Sequence, residues 1–181
     1  MSLSRSSFAT LTALIFILLI VGWFTYNKAI ERQIASTPAY RALSATTTGS
    51  YTDLEGKSVV LTDYVGQVML VHAWASWCPS CAKELQQLSQ IAESYEQDSV
   101  VVIAINRAED RYSAERFLKA HNLDLKVQLI LDPDDSFFKS IGGYAMPETI
   151  IYNQKGEIVK HIRGDLNQEA VRGTIEETLA Q

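Results

Sequence analysis

Cys78 and Cys81 are the only cysteines of the 181-residue chain, separated by Pro79 and Ser80 in the stretch VHAWASWCPSCAKEL, Val71–Leu85. Thiols at this spacing can hold a metal, lock a turn, or cycle between dithiol and disulfide. A structural zinc site needs four Cys or His ligands. Two cysteines fall short, and His72, His121 and His161 show no paired spacing, so no metal is expected. As a staple, a bridge across so short a loop removes little entropy from the unfolded chain. Redox cycling fits the surroundings best. An apolar run, Gln67–Trp74, ends just before the pair, and a helical period starts just after it. Cys78 is then expected at a helix N-terminus, with Pro79 at the first helical position, where a missing N–H costs nothing. Free N–H groups and the helix dipole favour a thiolate there. Cys81 lies on the same helix face and can close a disulfide across the first turn. The expectation is an exposed attacking thiol at Cys78 and a more buried resolving thiol at Cys81. That redox-active disulfide needs no metal or organic cofactor. Trp74 and Trp77 would wall the site, with Trp77 and Pro79 meeting partners.

A second stretch, YAMPET, Tyr144–Thr149, puts Pro147 just before a strand. A cis Met146–Pro147 bond would bring the chain to the cysteines with its backbone free for a substrate strand. An ordinary trans proline at a strand start is the alternative.

Positioning these residues requires a scaffold, and the hydrophobic pattern supplies one. YTDLEGKSVVL reads as a hairpin turning at Glu55–Lys57, and Gln67–Trp74 as a central strand covered on both faces. Leu85, Leu88, Ile91 and Ala92 mark a helix after the pair. Ser99–Asn106 is a second buried strand, Asp110–Asn122 a helix and Lys126–Asp132 a short strand. A short helix at Asp134–Gly143 is followed by a hairpin with Gly156 in its turn. The last helix, Asn167–Gln181, has Ala170, Val171, Ile175 and Leu179 inward. Alternating strands and helices give a sheet with parallel strands and right-handed crossovers. The class is α/β: a thioredoxin-like mixed β-sheet sandwiched by helices, with an N-terminal β-hairpin extension.

The N-terminus differs in kind. No charged side chain stands between Arg5 and Lys28, and Leu11–Tyr26 is apolar. That window is about long enough to cross a hydrocarbon core of roughly 30 Å as a helix. Trp23 and Tyr26 lie near its far end, where amphipathic rings favour the interface. Arg5 favours an N-terminus on the cytoplasmic side. A cleaved signal peptide would have a shorter apolar core ending at a small-x-small site, and the run here ends in aromatics. An uncleaved single-pass anchor is expected. The organisation is therefore 1–27 membrane anchor, 28–50 juxtamembrane segment and linker, and 51–181 catalytic domain. The catalytic domain would then lie in an oxidising compartment, the periplasm of a bacterium, anchored to the inner membrane. A formal charge of −5 without a basic run excludes nucleic-acid binding as an expectation.

WASWCPSC, MPET, GDLN (Gly164–Asn167) and the anchor together resemble the membrane-anchored TlpA-like thioredoxin family, closest to its CcmG/DsbE cytochrome c maturation branch. The resemblance covers roughly Tyr51–Gln181. It implies a thioredoxin-like fold, a cis proline at Pro147, and a dithiol reductant acting on a disulfide-containing protein: apocytochrome c or its chaperone. Electrons would come from a transmembrane thiol-disulfide reductase. Glu84 matches an acid three positions after the second cysteine, and Glu148 the glutamate after the proline. A carboxylate near Cys78 raises its pKa, and a less stabilised thiolate suits a reductant. The resemblance makes Cys78, Cys81, Glu84 and Pro147 catalytic, and Trp77, Pro79, Met146 and Glu148 substrate-contacting. Three departures stand out. The branch's Pro-Ala-Pro lead-in is absent, Met146 replaces a small residue, and His72 stands where the branch has Asn. If His72 faces Cys81 it can act as a proton shuttle; a hydrogen-bonded core histidine is the plainer reading. The rival functions are a general periplasmic disulfide oxidase or isomerase, and a non-catalytic copper- or haem-handling thiol chaperone.

Overall fold

The computed structural model describes residues 15–29, 43, 51–95 and 99–181. The chain divides into two compact units, Met1–Thr37 and Pro38–Gln181. In the first, residues 15–29 form helix α1 with mostly exposed side chains. Among the described residues, no helix is long and apolar enough to cross a membrane. The first half of the expected anchor and most of segment 28–50 lie outside the described residues.

The second unit is built on β3, Val68–Trp74, buried at every position. Its alternation sends Val68, Leu70, His72 and Trp74 to one face and Met69, Val71 and Ala73 to the other. Val68, Leu70 and Trp74 join one core cluster, and Met69 and Val71 the other. β3 runs parallel to β4, Val100–Arg107, which runs parallel to β5, Gln128–Asp132. On its other side β3 pairs antiparallel with β6, Glu148–Tyr152, and β6 with β7, Ile158–Arg163. β1, Tyr51–Asp53, and β2, Ser58–Val59, form the expected hairpin at the far edge. The order is β2-β1-β5-β4-β3-β6-β7. The hairpin turns at Gly56 and Gly156 have φ of 87° and 79°, a region open to glycine.

Helix α2, Cys81–Ala92, follows β3 and buries Cys81, Leu85, Leu88 and Ile91 against the Val68/Leu70/Trp74 face. α3, Arg111–Ala120, packs Ala114 and Leu118 into the same core. Its Asp110 cap accepts the Ser113 N–H at 2.8 Å. The short α4, Ser136–Ser140, is held by Asp132 at the end of β5, which accepts the Ser136 and Phe137 N–H groups. Phe137 thereby enters the opposite core. The last helix, α5, Gln168–Leu179, buries Val171, Ile175 and Thr178. Ala170, expected inward, is exposed. The inward stripe follows i, i+4, i+7 from Val171, so an alanine one residue earlier falls outside it.

Candidate active site

The cysteines sit where β3 hands over to α2. α2 begins at Cys81 with Ser80 as its cap residue, so Cys78 and Pro79 precede it in a turn. This corrects the expectation that Pro79 opens the helix. The Cys81 N–H points at the Cys78 carbonyl, 3.4 Å away. Cys78 and Cys81 form a disulfide with Cα atoms 5.5 Å apart. Both residues are buried: Cys78 is 3% exposed and Cys81 0%. The order of accessibility is as expected, but Cys78 is a sliver at the surface rather than an open thiol. Access comes through its flanks, since Trp77 is 59% exposed and Pro79 is also exposed. Trp74 is buried and packs on Phe117 at 5.3 Å between ring centroids; it supports the site from within.

Beneath the pair lies a polar thread in an apolar core. His72 is completely buried. Its Nδ1 meets the Thr149 hydroxyl at 2.9 Å, and its Nε2 faces Glu84 Oε2 at 3.6 Å. Glu84, one turn after Cys81, is 2% exposed and accepts the Leu166 N–H at 3.2 Å through Oε1. At that separation they are in contact but not hydrogen-bonded, and among the described residues neither His72 Nε2 nor Glu84 Oε2 has a hydrogen-bond partner. Burial lowers the His72 pKa from 6.5 to about 3, so the ring is neutral at pH 7. Burial also raises the Glu84 carboxyl, with Asp165 adding to the rise; the Leu166 N–H, the Ser80 hydroxyl and Lys83 oppose it. The contact is therefore between a neutral imidazole and an acid that retains its proton more readily than usual, not an ion pair.

The third part is the loop before β6. The Met146–Pro147 peptide is cis. β6 pairs with β3 as far as Glu148 opposite Ala73, so Pro147 falls at the end of β3 from which the cysteine loop departs. Met146 packs against the cluster that contains both cysteines. Glu148 is fully buried. Its Oε1 accepts the Tyr144 and Ala145 N–H groups at 2.9 and 2.8 Å, and its Oε2 lies 2.6 Å from His161 Nε2. Burial pushes this carboxyl up, but the two N–H bonds and His161 outweigh it and hold the pKa below the ordinary value. Glu148 thus stands behind the loop, and not at the surface where a substrate-contacting residue was expected.

Several positioning groups escaped sequence reasoning. Glu109, in the loop after β4, accepts the Ser76 N–H at 2.8 Å, the Ser76 hydroxyl, and the Asn106 amide at 2.8 Å. It fixes the segment that leads into Cys78. Ser80 Oγ lies 3.9 Å from Cys78 Sγ. GDLN links two parts of the site: the Gly164 N–H donates to the Pro147 carbonyl at 2.8 Å, and the Leu166 N–H holds Glu84. Only GDLN and MPET carried a sequence signal; nothing marks Glu109 among the other acids.

Residues 38–179 match the Redoxin family. The chain belongs to the Redoxin family. Sporulation thiol-disulfide oxidoreductase A of Bacillus subtilis is 28% identical over 170 residues, covering 92% of this chain and 96% of that protein. Thiol-disulfide oxidoreductase ResA of Bacillus thuringiensis is 28% identical over 118 residues, 65% of this chain and 67% of that protein. Among solved structures, StoA of Bacillus subtilis superposes with a TM-score of 0.58 at 28% identity, over 69% of this chain and 93% of that one. A secreted Mycobacterium tuberculosis disulfide oxidoreductase homologous to E. coli DsbE superposes with a TM-score of 0.62 at 20% identity, over 76% and 98% of the two chains, and shows the shared fold. This Redoxin-family protein is a thiol-disulfide oxidoreductase with a Cys-x-x-Cys disulfide.

Proposed function

We propose that this protein is a membrane-anchored dithiol reductant that serves cytochrome c maturation through Cys78 and Cys81. The observation that carries the direction is Glu84: a buried carboxyl one turn from Cys81, backed by a neutral His72 rather than by a cation that would stabilise a thiolate. Such surroundings favour the thiol and give a less oxidising disulfide.

In the forward reaction reduced Cys78 attacks a substrate disulfide. One substrate sulfur leaves as thiolate and takes a proton; the other is joined to Cys78. Cys81 gives its proton to the Glu84–His72 pair and attacks Cys78 Sγ. The second substrate thiolate leaves and is protonated in turn. The substrate gains two electrons and two protons, and the enzyme ends as the Cys78–Cys81 disulfide. Trp77, Pro79 and Met146 contact the substrate, and the backbone before Pro147 lies along it. A transmembrane thiol-disulfide reductase returns the electrons. The N-terminal segment holds the catalytic unit at the outer face of the cytoplasmic membrane, supported by the uncharged window between Arg5 and Lys28. The match to a sporulation oxidoreductase across 170 residues supports a second reading, in which a different exported disulfide protein is the substrate.

The test is the reduction potential of the full chain in detergent, equilibrated against a dithiol buffer. A value near or below about −270 mV is expected; one near about −120 mV would make the protein an oxidant. Cys78→Ser should abolish reductase activity. Tight Cu(I) binding by the dithiol, with no disulfide reductase activity, would instead identify a thiol chaperone.

A further inference from the structure

Thiol exchange makes no use of Glu148, yet it is fully buried with hydrogen bonds to both carboxylate oxygens. Those bonds connect two pieces of chain. On one side are Tyr144 and Ala145, which lead into Met146 and the cis bond. On the other is β7, an edge strand, through His161 at 2.6 Å, with Arg163 Nε at 3.9 Å. Arg163 also lies over the Tyr144 ring, 5.1 Å from its centroid, and that ring is 79% exposed. The other end of the loop is tied to the residue that follows the same strand, by the Gly164 N–H on the Pro147 carbonyl. β7 and the residue after it therefore grip the loop on both sides of the cis peptide. The loop in turn carries Met146 onto the cluster that contains the two sulfurs.

We propose that His161, acting through Glu148, holds the Tyr144–Met146 wall of the groove in the shape that admits a polypeptide substrate, and takes no part in the exchange of thiols. His161 is thus a positioning residue for recognition. The geometry favours it over the neighbouring groups. Its Nε2 is the side-chain donor within hydrogen-bond distance of Oε2, whereas Arg163 is too far for a direct bond. A hydrogen bond to a charged acceptor is among the stronger ones. Without it one oxygen of a buried carboxylate faces only the distant guanidinium, and the acid can turn away from the two N–H groups it fixes. This rests on the reading that the groove takes a polypeptide.

The experiment compares the full chain with His161→Ala and His161→Arg variants, leaving Glu148 in place. The protein probe is an oxidised peptide bearing a Cys-x-x-Cys-His disulfide. The control is hydroxyethyl disulfide, too small to need the wall. His161→Ala should raise KM for the peptide about tenfold, the scale of one charge-assisted hydrogen bond. Its kcat, its rate with the small disulfide and its reduction potential should stay unchanged. Amide exchange at Tyr144 and Ala145 should quicken, while β3 and β4 stay protected. His161→Arg, which keeps a side-chain N–H donor at this position, should restore KM. The proposal is overturned if KM and loop exchange do not move, or if the small-disulfide rate falls as much as the peptide rate. A wild-type protein that ignores the peptide would sink the polypeptide reading of the groove. Unchanged exchange at Tyr144 and Ala145 would separately sink the role of His161.

Discussion

At the scale of single residues, the site is a disulfide set over two groups that disagree with their own charges. Glu84 is buried where its ionised form is disfavoured. Its folded pKa is raised, so its contribution to stability is present below the ordinary carboxyl range and is lost as pH rises through the folded value. Glu84→Gln should therefore raise the midpoint of thermal unfolding at pH 7. The same change should slow resolution of the mixed disulfide by roughly a hundredfold, the scale of general base catalysis. A lower midpoint with unchanged turnover would contradict both halves. His72 has the opposite sign of shift for the opposite charge. Its folded pKa is about 3 against 6.5, so the unfolded chain binds the extra proton first. Stability is lost as pH falls from about 6.5 towards about 3, by on the order of a few kcal/mol. His72→Asn should flatten urea-denaturation midpoints across that window; an unchanged slope would show that the ring is not held neutral. The chemistry of Cys78 and Cys81 was legible from their spacing together with the strand before them and the helical period after them. The burial of Cys78 was not, because it depends on the neighbouring chain segments that pack against the turn.

At the scale of elements, what matters is the junctions. The strand and helix order was readable because the short, continuous, Val- and Leu-rich apolar run Gln67–Trp74 contrasts with the 3.6-residue period of Leu85–Ile91. Junction geometry was less readable. Pro79 could open a helix by its dihedral preference, yet the turn places the helix start at Cys81; propensity is weak against the constraint of the bridge and the β3 exit. The GDLN turn shows the same dependence. Gly164 has φ of 88° and its N–H holds Pro147. Gly164→Ala should cost roughly 1–2 kcal/mol, the penalty of a Cβ in the left-handed region. It should also speed amide exchange across Tyr144–Met146. A variant as stable as wild type in urea, with an unaltered loop, would mean the backbone there relaxes freely.

At the scale of the whole molecule, both core clusters belong to residues of the unit Pro38–Gln181. A fragment of residues 38–181 should therefore fold alone and keep the reduction potential of the full chain, while the full chain alone sediments with membranes. A fragment with a shifted potential would mean that the first unit tunes the site; a full chain that stays in the supernatant would remove the anchor.

By itself the sequence determined the alternation of strands and helices that builds the sheet and the spacing that lets two thiols pair across one turn, and it carried MPET and GDLN as motifs of a family resemblance. These are local facts, set by periodicity and by residue spacing along one segment. Only the tertiary structure decided that His72 from β3 faces Glu84 from α2, that Glu109 grips Ser76, and that Glu148 points inward to bind its own loop and His161. These contacts join different elements of the fold: β3 with α2, the loop after β4 with the β3–α2 loop, and β6 with β7 and with the loop before it. Which acid ends up buried depends on strand register and helix placement, and on the requirement that every buried polar group be met by a partner brought from elsewhere.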